Sequence, residues 1–495
     1  MWDRIFQLRQ RGTTVNREIA AGMTTFMAMA YIIFVNPAIL SNAGVPFNGA
    51  VTATCVVSGL ITILMGLVTN YPLALACGMG LNAMVAFDIV AGLGQTWQTA
   101  MGVVALEGLA VLILSLSPLR AAVMRAIPED LKLAIGVGLG LFIALIGLEQ
   151  ARIVCASPVT LVTLGSFHDP VTRLSLAGLA IILVLLSLNV QGALLIGMIL
   201  TAMIGCCPWV RLIPNAPEHL WLVILLGLAV GLILVFFRVP GAPLWAAAVA
   251  LGAACLPPFS LFSQLAQNPL ARSARSENFS TFFRADLLGA LSLKLLPVGF
   301  AFFMTDFFDT MGTALGIGRQ AGFVDEKGQI PRIRGLLVVD SLGAFLGGIS
   351  GCSSVTSYVE SAAGVSAGGR TGLVCLTAGL AFWLSLFFIP LIRILGGGVE
   401  IAPGAFAYPV TAPALITVGF MMCGHVGRIQ FNQIETGLPA FLILSMIPLT
   451  YSITNGIAFG FISHCLIQLV RGRIRQVHPM LYIVALLFLI SLALR

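Results

Sequence analysis

Fourteen apolar blocks, each close to the length of a bilayer crossing, constrain this chain more than any other feature. They cover residues 19–40, 49–69, 71–90, 98–117, 132–149, 171–189 and 191–208, then 292–318, 335–350, 353–367, 372–392, 404–423, 437–451 and 453–470. A crossing helix takes about 20 apolar residues, so the blocks read as seven spans and seven more. Only 9% of the 495 residues are charged, against roughly a quarter in soluble domains. The runs are also too long and continuous for the alternating pattern of an outer-membrane barrel. The expected fold class is therefore an all-α polytopic membrane protein.

Two further apolar stretches, 219–237 and 242–257, lie between the two sets and predict an extra apolar hairpin, followed by a more polar segment from Ser260 to Leu291. A short apolar run at 479–494 follows the basic cluster Arg471, Arg473 and Arg475. Placing the N-terminus inside gives Lys and Arg a roughly two-to-one excess on the cytoplasmic face, with Arg4, Arg9, Arg11 and Arg17 at one end and Arg319, Lys327, Arg332 and Arg334 in a later loop. The polar opening MWDRIFQLRQRGTTVNRE runs directly into an apolar block, so no cleaved signal peptide is expected. The reading is a multi-pass protein of the inner (cytoplasmic) membrane, embedded in the lipid bilayer, with a cytoplasmic N-terminus. Basic excess marks cytoplasmic loops in such proteins, so the net charge of +7 does not point to nucleic acid. The ten cysteines form no CxxC pair, and neither a disulfide framework, a metal site nor a cofactor is expected.

The third and tenth blocks share a pattern of breakage. YPLALACGMGLNAMVAF carries Pro72, Gly78 and Gly80 ahead of Asn82, and GGISGCSSVTSYVESAAGVSAGG carries a Ser/Thr-rich extended stretch ahead of Glu360. An odd number of spans per half inverts one half relative to the other, and paired broken helices in inverted halves point to a transport site near the bilayer midplane. Non-helical backbone is tolerated at that depth only where protein buries it or it lines a cavity.

Of the 19 carboxylates, Asp88, Glu107, Asp306, Asp309, Asp340 and Glu360 fall inside predicted spans, and no Lys or Arg is similarly central. An intramembrane carboxylate is costly and marks function by default. Without cations these groups are expected to be protonated, to accept from hydrogen-bond donors, or to be neutralised by cargo. Asp306 and Asp309 stand one helical turn apart on one face, where two charges cannot ionise cheaply. Asp340, near the start of its block, reads as a conformational lock. Asn82 offers a donor and an acceptor. Carboxylates and an amide present mainly acceptors, so the matching cargo is a flat neutral molecule rich in N–H donors. His168 and His219 read as loop residues, His425 and His478 as cytoplasmic edge, and His464 as helix packing.

These residues carry a family resemblance. GMTTFMAMAYIIFVNPAILSNAGV, the GMGLNA box around Asn82, TDFFDTMGTALG, TSYVESAAGVSAGGRTGL at Glu360, 20 residues after Asp340, and IPLTYSITNGIAFGFISH together resemble the AzgA-type purine permeases of the nucleobase-cation symporter-2, or xanthine/uracil permease, class. The resemblance spans nearly the whole chain outside 211–290 and the C-terminal tail. It implies 14 spans in 7+7 inverted repeats, with a core domain in 1–130 and 291–395 (spans 1–4 and 8–11). A gate domain would occupy 131–210 and 396–470 (spans 5–7 and 12–14), leaving 211–290 as an inserted hairpin and linker and 471–495 as a tail. It further implies a symporter, not an enzyme, that imports adenine, guanine or hypoxanthine with a proton as coupling ion, with a homodimer as one assembly. By position, the resemblance puts purine contacts at Asp306, Glu360 and Asn82 with Gly80 beside it, and accessory acids at Asp309 and Asp340; Ser361 is expected to join the substrate-binding set and Thr313 the proton-coupling or gating set. The chain departs from the family pattern at Cys77, at Met84 and Val85, and in the diluted run CSSVTSYVE; all lie beside the expected site and leave the particular purine open. The alternatives are another nucleobase-like solute or an anion exchanger on the same fold, against which the buried carboxylates count. An intramembrane aspartyl protease would carry its two acids on facing helices rather than on one.

Overall fold

The computed structural model describes residues 2–117, 127–157, 160–206, 278–323, 330–331, 333–402 and 405–493. The expected hairpin at 219–257 lies outside the described residues. Span 1 is Val15–Met29, continued after a short break by Ile32–Ser41, and span 2 is Phe47–Thr69. Span 3 is broken: strand β1 (Leu75–Cys77) leads into a short helix, Met79–Ala83, and then a π-helix, Met84–Gly92. Spans 4 to 7 are Trp97–Leu116, Glu129–Gln150, Pro170–Ser187 and Ala193–Cys206. In the second half, spans 8 and 9 are Leu296–Gln320 and Ile333–Ser350. Span 10 repeats the break as a strand (Val355–Ser357) and a short helix, Ser361–Ser366. Spans 11 to 14 are Leu373–Leu384, Ala412–Met422, Ile434–Leu449 and Ile453–Val470. Among the described residues seven helices are long and apolar enough to cross a membrane alone, and five shorter apolar helices accompany them; span 8, at 25 residues, is long enough but more polar. The chain is thus an all-α polytopic membrane protein with 7+7 inverted repeats and broken third and tenth spans.

The two strands of the broken spans pair with each other. Leu75, Ala76 and Cys77 lie opposite Ser357, Thr356 and Val355 in an antiparallel ladder. Beyond it, Gly78 N donates to Ser354 O at 2.9 Å and Tyr358 N to Ala74 O at 3.0 Å. Backbone inside a bilayer finds no water, so every freed group needs a protein partner. Thr62 of span 2 donates its hydroxyl to Leu75 O at 2.8 Å and accepts from Leu75 N at 2.9 Å. The Ser361 hydroxyl accepts from Ala74 N at 2.9 Å. Pro72 and Gly78 keep the first stretch from continuing as helix, and the Ser/Thr/Val run keeps the second extended.

Two sets of helices surround this crossing. Span 4 packs against span 9, span 2 against spans 9 and 11, and spans 10 and 11 against span 1. Separately, span 5 packs against spans 12 and 13, span 13 against span 14, and span 6 against spans 7 and 12. Two surface hairpins that apolar periodicity does not reveal lie in the second set. One pairs Val154–Ser157 with Leu161–Leu164, the other Val399–Ala402 with Ala405–Ala407. The expected block 404–423 therefore begins as strand and becomes helix only at Ala412. Asp340 likewise sits in mid-helix, not near the start of a span, because span 9 continues N-terminally to Ile333.

Spans 2 and 11 meet backbone to backbone. A Cβ on Gly66 would stand 2.4 Å from Gly372 O and one on Gly372 2.0 Å from Gly66 O; Gly59 and Gly379 repeat the contact. Small residues allow such approach between membrane helices, where packing rather than hydrophobicity drives association. Gly372→Ala is expected to destabilise the protein by about 1–3 kcal/mol through overpacking. Gly316→Ala, with nothing within 4 Å of the added Cβ, is expected to be neutral or stabilising by up to about 1 kcal/mol. Thermal denaturation of the purified variants checks the pair, and equal stability would contradict the close approach.

Candidate functional site

Asp340 ties the strand of span 10 to span 8. Its Oδ1 accepts from Ser357 N at 3.0 Å and the Ser357 hydroxyl at 2.9 Å, with Thr356 Oγ1 at 3.4 Å. Its Oδ2 accepts from the Thr310 hydroxyl at 2.8 Å, and Thr310 and Thr356 share a further hydroxyl bond at 2.7 Å. The side chain is 2% exposed. This donor set suits a carboxylate, and it fixes where the extended segment ends and the half-helix of span 10 begins.

Around that knot stand polar groups with capacity to spare. Asp306 of span 8 is buried; its Oδ2 accepts from the Ser354 hydroxyl at 3.2 Å, whereas Oδ1 has no partner among the described residues. Asn82 is fully buried on the half-helix of span 3, which packs against span 8, and both atoms of its amide lack partners among the described residues. A buried polar group left unpaired costs free energy, so an orphaned amide and an orphaned carboxylate oxygen on neighbouring elements mark a place for a polar ligand. Glu360, half-buried immediately before the half-helix Ser361–Ser366, accepts from Tyr31 Oη at 2.5 Å. Glu107 of span 4 is buried beside Asp306, again without a donor among the described residues. None of these carboxyls has a Lys or Arg partner among the described residues; the ion pairs Arg9–Asp3, Arg152–Asp169, Arg471–Glu435 and Arg473–Glu435 all lie elsewhere.

The other expected residues fall as follows. Asp309 follows Asp306 on span 8 but is only half-buried, and Thr313 is buried one turn beyond it. Gly80 lies against span 5, where a Cβ would meet Leu139 Cδ2 at 2.3 Å. The Ser361 hydroxyl is engaged with Ala74 at the start of β1.

Several contributors, and for Asp88 the role it takes, escape a reading of the sequence. Tyr31 has only the signal of one tyrosine in an otherwise apolar run. Asp88 caps span 14, its carboxylate accepting from Ile453 N at 3.3 Å, Thr454 N at 3.0 Å and the Thr454 hydroxyl at 2.8 Å. Beside it Phe87, Phe142 and Tyr451 form a mutually edge-on aromatic triad, and Tyr451 donates to Glu149. Glu18, just ahead of the first apolar block, is fully buried and accepts from Arg370 N, Thr371 N and the Thr371 hydroxyl.

Comparison with known proteins agrees with this architecture. A family model described as a permease family (Xan_ur_permease) matches residues 16–459. The chain is 40% identical to the guanine/hypoxanthine permease PbuO of Bacillus subtilis (strain 168), over 99% of each protein. It is 35% identical to the adenine permease AdeP of Escherichia coli (strain K12), over 99% of this chain and 96% of that one. Among solved structures, the transmembrane domain of the cyanobacterial bicarbonate transporter BicA superposes with a TM-score of 0.50 at 14% identity, covering 89% of this chain and 97% of that one. SLC26A9 superposes at 0.55 and 9% identity, covering 95% and 67%. At such identities the structural likeness speaks for the fold alone.

If Asp340 is the knot, Asp340→Ala strands several buried donors at once and is expected to cost on the order of 2–5 kcal/mol. Asp340→Asn, which keeps one acceptor oxygen, is expected to cost less. Thermal unfolding of both proteins in detergent tests the ranking; an Asp340→Ala protein as stable as its parent would contradict it.

Proposed function

The chain belongs to the xanthine/uracil permease family, and from that premise we propose that it is a proton-coupled symporter importing purine nucleobases across the cytoplasmic membrane, N-terminus inside. The observation that carries this reading is the inventory of the site: orphaned acceptors on Asp306 and Asn82 and a carboxylate at Glu360, with no cation facing them among the described residues. A purine is planar, neutral and edged by N–H donors, so Asp306 and Glu360 accept from it, while the Asn82 amide supplies both a donor and an acceptor. The names of PbuO and AdeP support the class of cargo, adenine, guanine or hypoxanthine. An anion exchanger on this fold would need positive charge where this chain has carboxylates.

In this reading spans 1–4 and 8–11 form a core holding the cargo, and spans 5–7 and 12–14 form a gate. Transport proceeds by rocking of one against the other around the site. The contacts of Gly80 with Leu139, of Asp88 with the start of span 14, and of Phe87 with Phe142 and Tyr451 cross that boundary and are the ones the motion remakes. In the same reading Asp309 and Thr313, on the helix that carries Asp306, serve proton coupling or gating.

Uptake of labelled adenine, guanine, hypoxanthine, xanthine and uracil in a transport-deficient host tests the reading. Uptake of a purine is expected to weaken as external pH rises, to collapse with a protonophore and to be indifferent to sodium. Glu360→Gln is expected to weaken purine affinity on the order of tenfold to a hundredfold, the range for losing a charged acceptor. Sodium-dependent uptake that ignores a protonophore would overturn the coupling, and unchanged affinity in Glu360→Gln would overturn the site.

A further inference from the structure

Glu107 belongs to none of the motifs discussed above, yet its surroundings are the least compensated of any acid among the described residues. It lies midway along Trp97–Leu116 and is 4% exposed, and neither carboxyl oxygen has a donor among the described residues. The helix that carries it packs against spans 8 and 9, the short helix Leu287–Ala290 and the π-helix of span 3, whose nearby acids Asp286 and Asp88 are engaged with Gly289 N and with Thr454. The titratable groups these elements turn toward it are Asp306, whose carboxyl is within hydrogen-bonding reach, and, farther off, Asp340. Asp340 has its own set of donors and is satisfied as an anion. Asp306 has one, the Ser354 hydroxyl, and its Oδ1 is orphaned.

Two ionised carboxylates are both acceptors and cannot bond to each other. Facing each other in a buried site without a cation, they are costly to hold charged together. We propose that Glu107 and Asp306 hold one proton between them and that this pair carries the proton that moves with the purine, an inference resting on the symport reading above. Glu107 acts through Asp306, as a positioning residue rather than a contact to cargo. A proton taken from water on one side converts the Glu107 carboxylate to the acid, whose O–H donates to Asp306. Asp306 then stays anionic, held by Glu107 and Ser354, with lone pairs left on Oδ1 for a purine N–H. Loss of the proton to water on the other side leaves two facing anions, disrupts the acceptor and releases the purine unchanged. Proton and purine therefore raise each other's affinity, as linkage requires.

Two measurements on purified protein in nanodiscs test this. In infrared difference spectra between low and high pH, without purine, the wild type is expected to lose a carboxylic-acid C=O band on alkalinisation. That band should be absent in Glu107→Gln and displaced in Asp306→Asn. In equilibrium binding of labelled hypoxanthine and adenine, wild-type affinity is expected to fall by up to about tenfold per pH unit once the pair loses its proton. Glu107→Gln, whose amide donates to Asp306 at every pH, should keep the low-pH affinity with no slope. Reconstituted into liposomes, it should exchange purine but not accumulate it against a gradient. A Glu107→Gln protein that retains the band, or that keeps the wild-type pH slope and proton-driven accumulation, overturns the proposal. Because the band is read without purine, a wild type that shows it but binds no purine would overturn the transport reading and not the shared proton.

Discussion

Backbone inside a bilayer has no water to bond to, and the pairing of β1 with the strand of span 10 is how this protein meets that constraint where both spans break. Each strand is three residues long, too short to stand alone, and each supplies the partner the other lacks. Thr62, Ser361 and Asp340 take up most of the remaining groups at their ends. Because the ladder joins the two inverted halves, it brings the half-helix with Asn82 and the segment leading to Glu360 to the same depth, next to the acids of span 8. The polar site follows from solving a hydrogen-bonding problem.

The acids at this crossing divide by the number of donors each receives. Asp340 and Asp88 are supplied with several and hold structure: one anchors the extended strand, the other caps span 14. Asp306, with one donor, and Glu107, with none among the described residues, have capacity left over. Glu360 has one strong donor, Tyr31, and is less buried. A gradient from saturated to unsaturated acceptors within one cluster distinguishes scaffold from site more sharply than position in a motif does.

Much of this is legible in the sequence. The apolar blocks mark the spans, and Pro72, Gly78 and the Ser/Thr run before Glu360 mark the two breaks, because the chemistry that interrupts a helix is local. Asp306, Glu360 and Asn82 stand out because a polar side chain in an apolar run must either find a protein partner or meet a ligand. Partnerships across long separations are not legible. Tyr31 meets Glu360 329 residues away, and Asp88 meets Thr454 366 residues away; no local pattern distinguishes a carboxylate that caps a distant helix from one that faces cargo. The surface hairpins escape for a related reason, since Leu161–Leu164 is apolar yet exposed. Asp340 lies deeper in its span than the sequence suggests because the apolar pattern begins later than the helix does.

The central claim, that the junction of the two broken spans is where cargo binds, is tested most directly by equilibrium binding of labelled purine to purified Asn82→Ala protein. Asn82 makes no side-chain hydrogen bond with the described residues, so its removal breaks no hydrogen bond among them. The account predicts an unfolding temperature at or above that of the parent, together with a loss of purine affinity on the order of tenfold or more. Purine binding at parental affinity by a well-folded Asn82→Ala protein would contradict it.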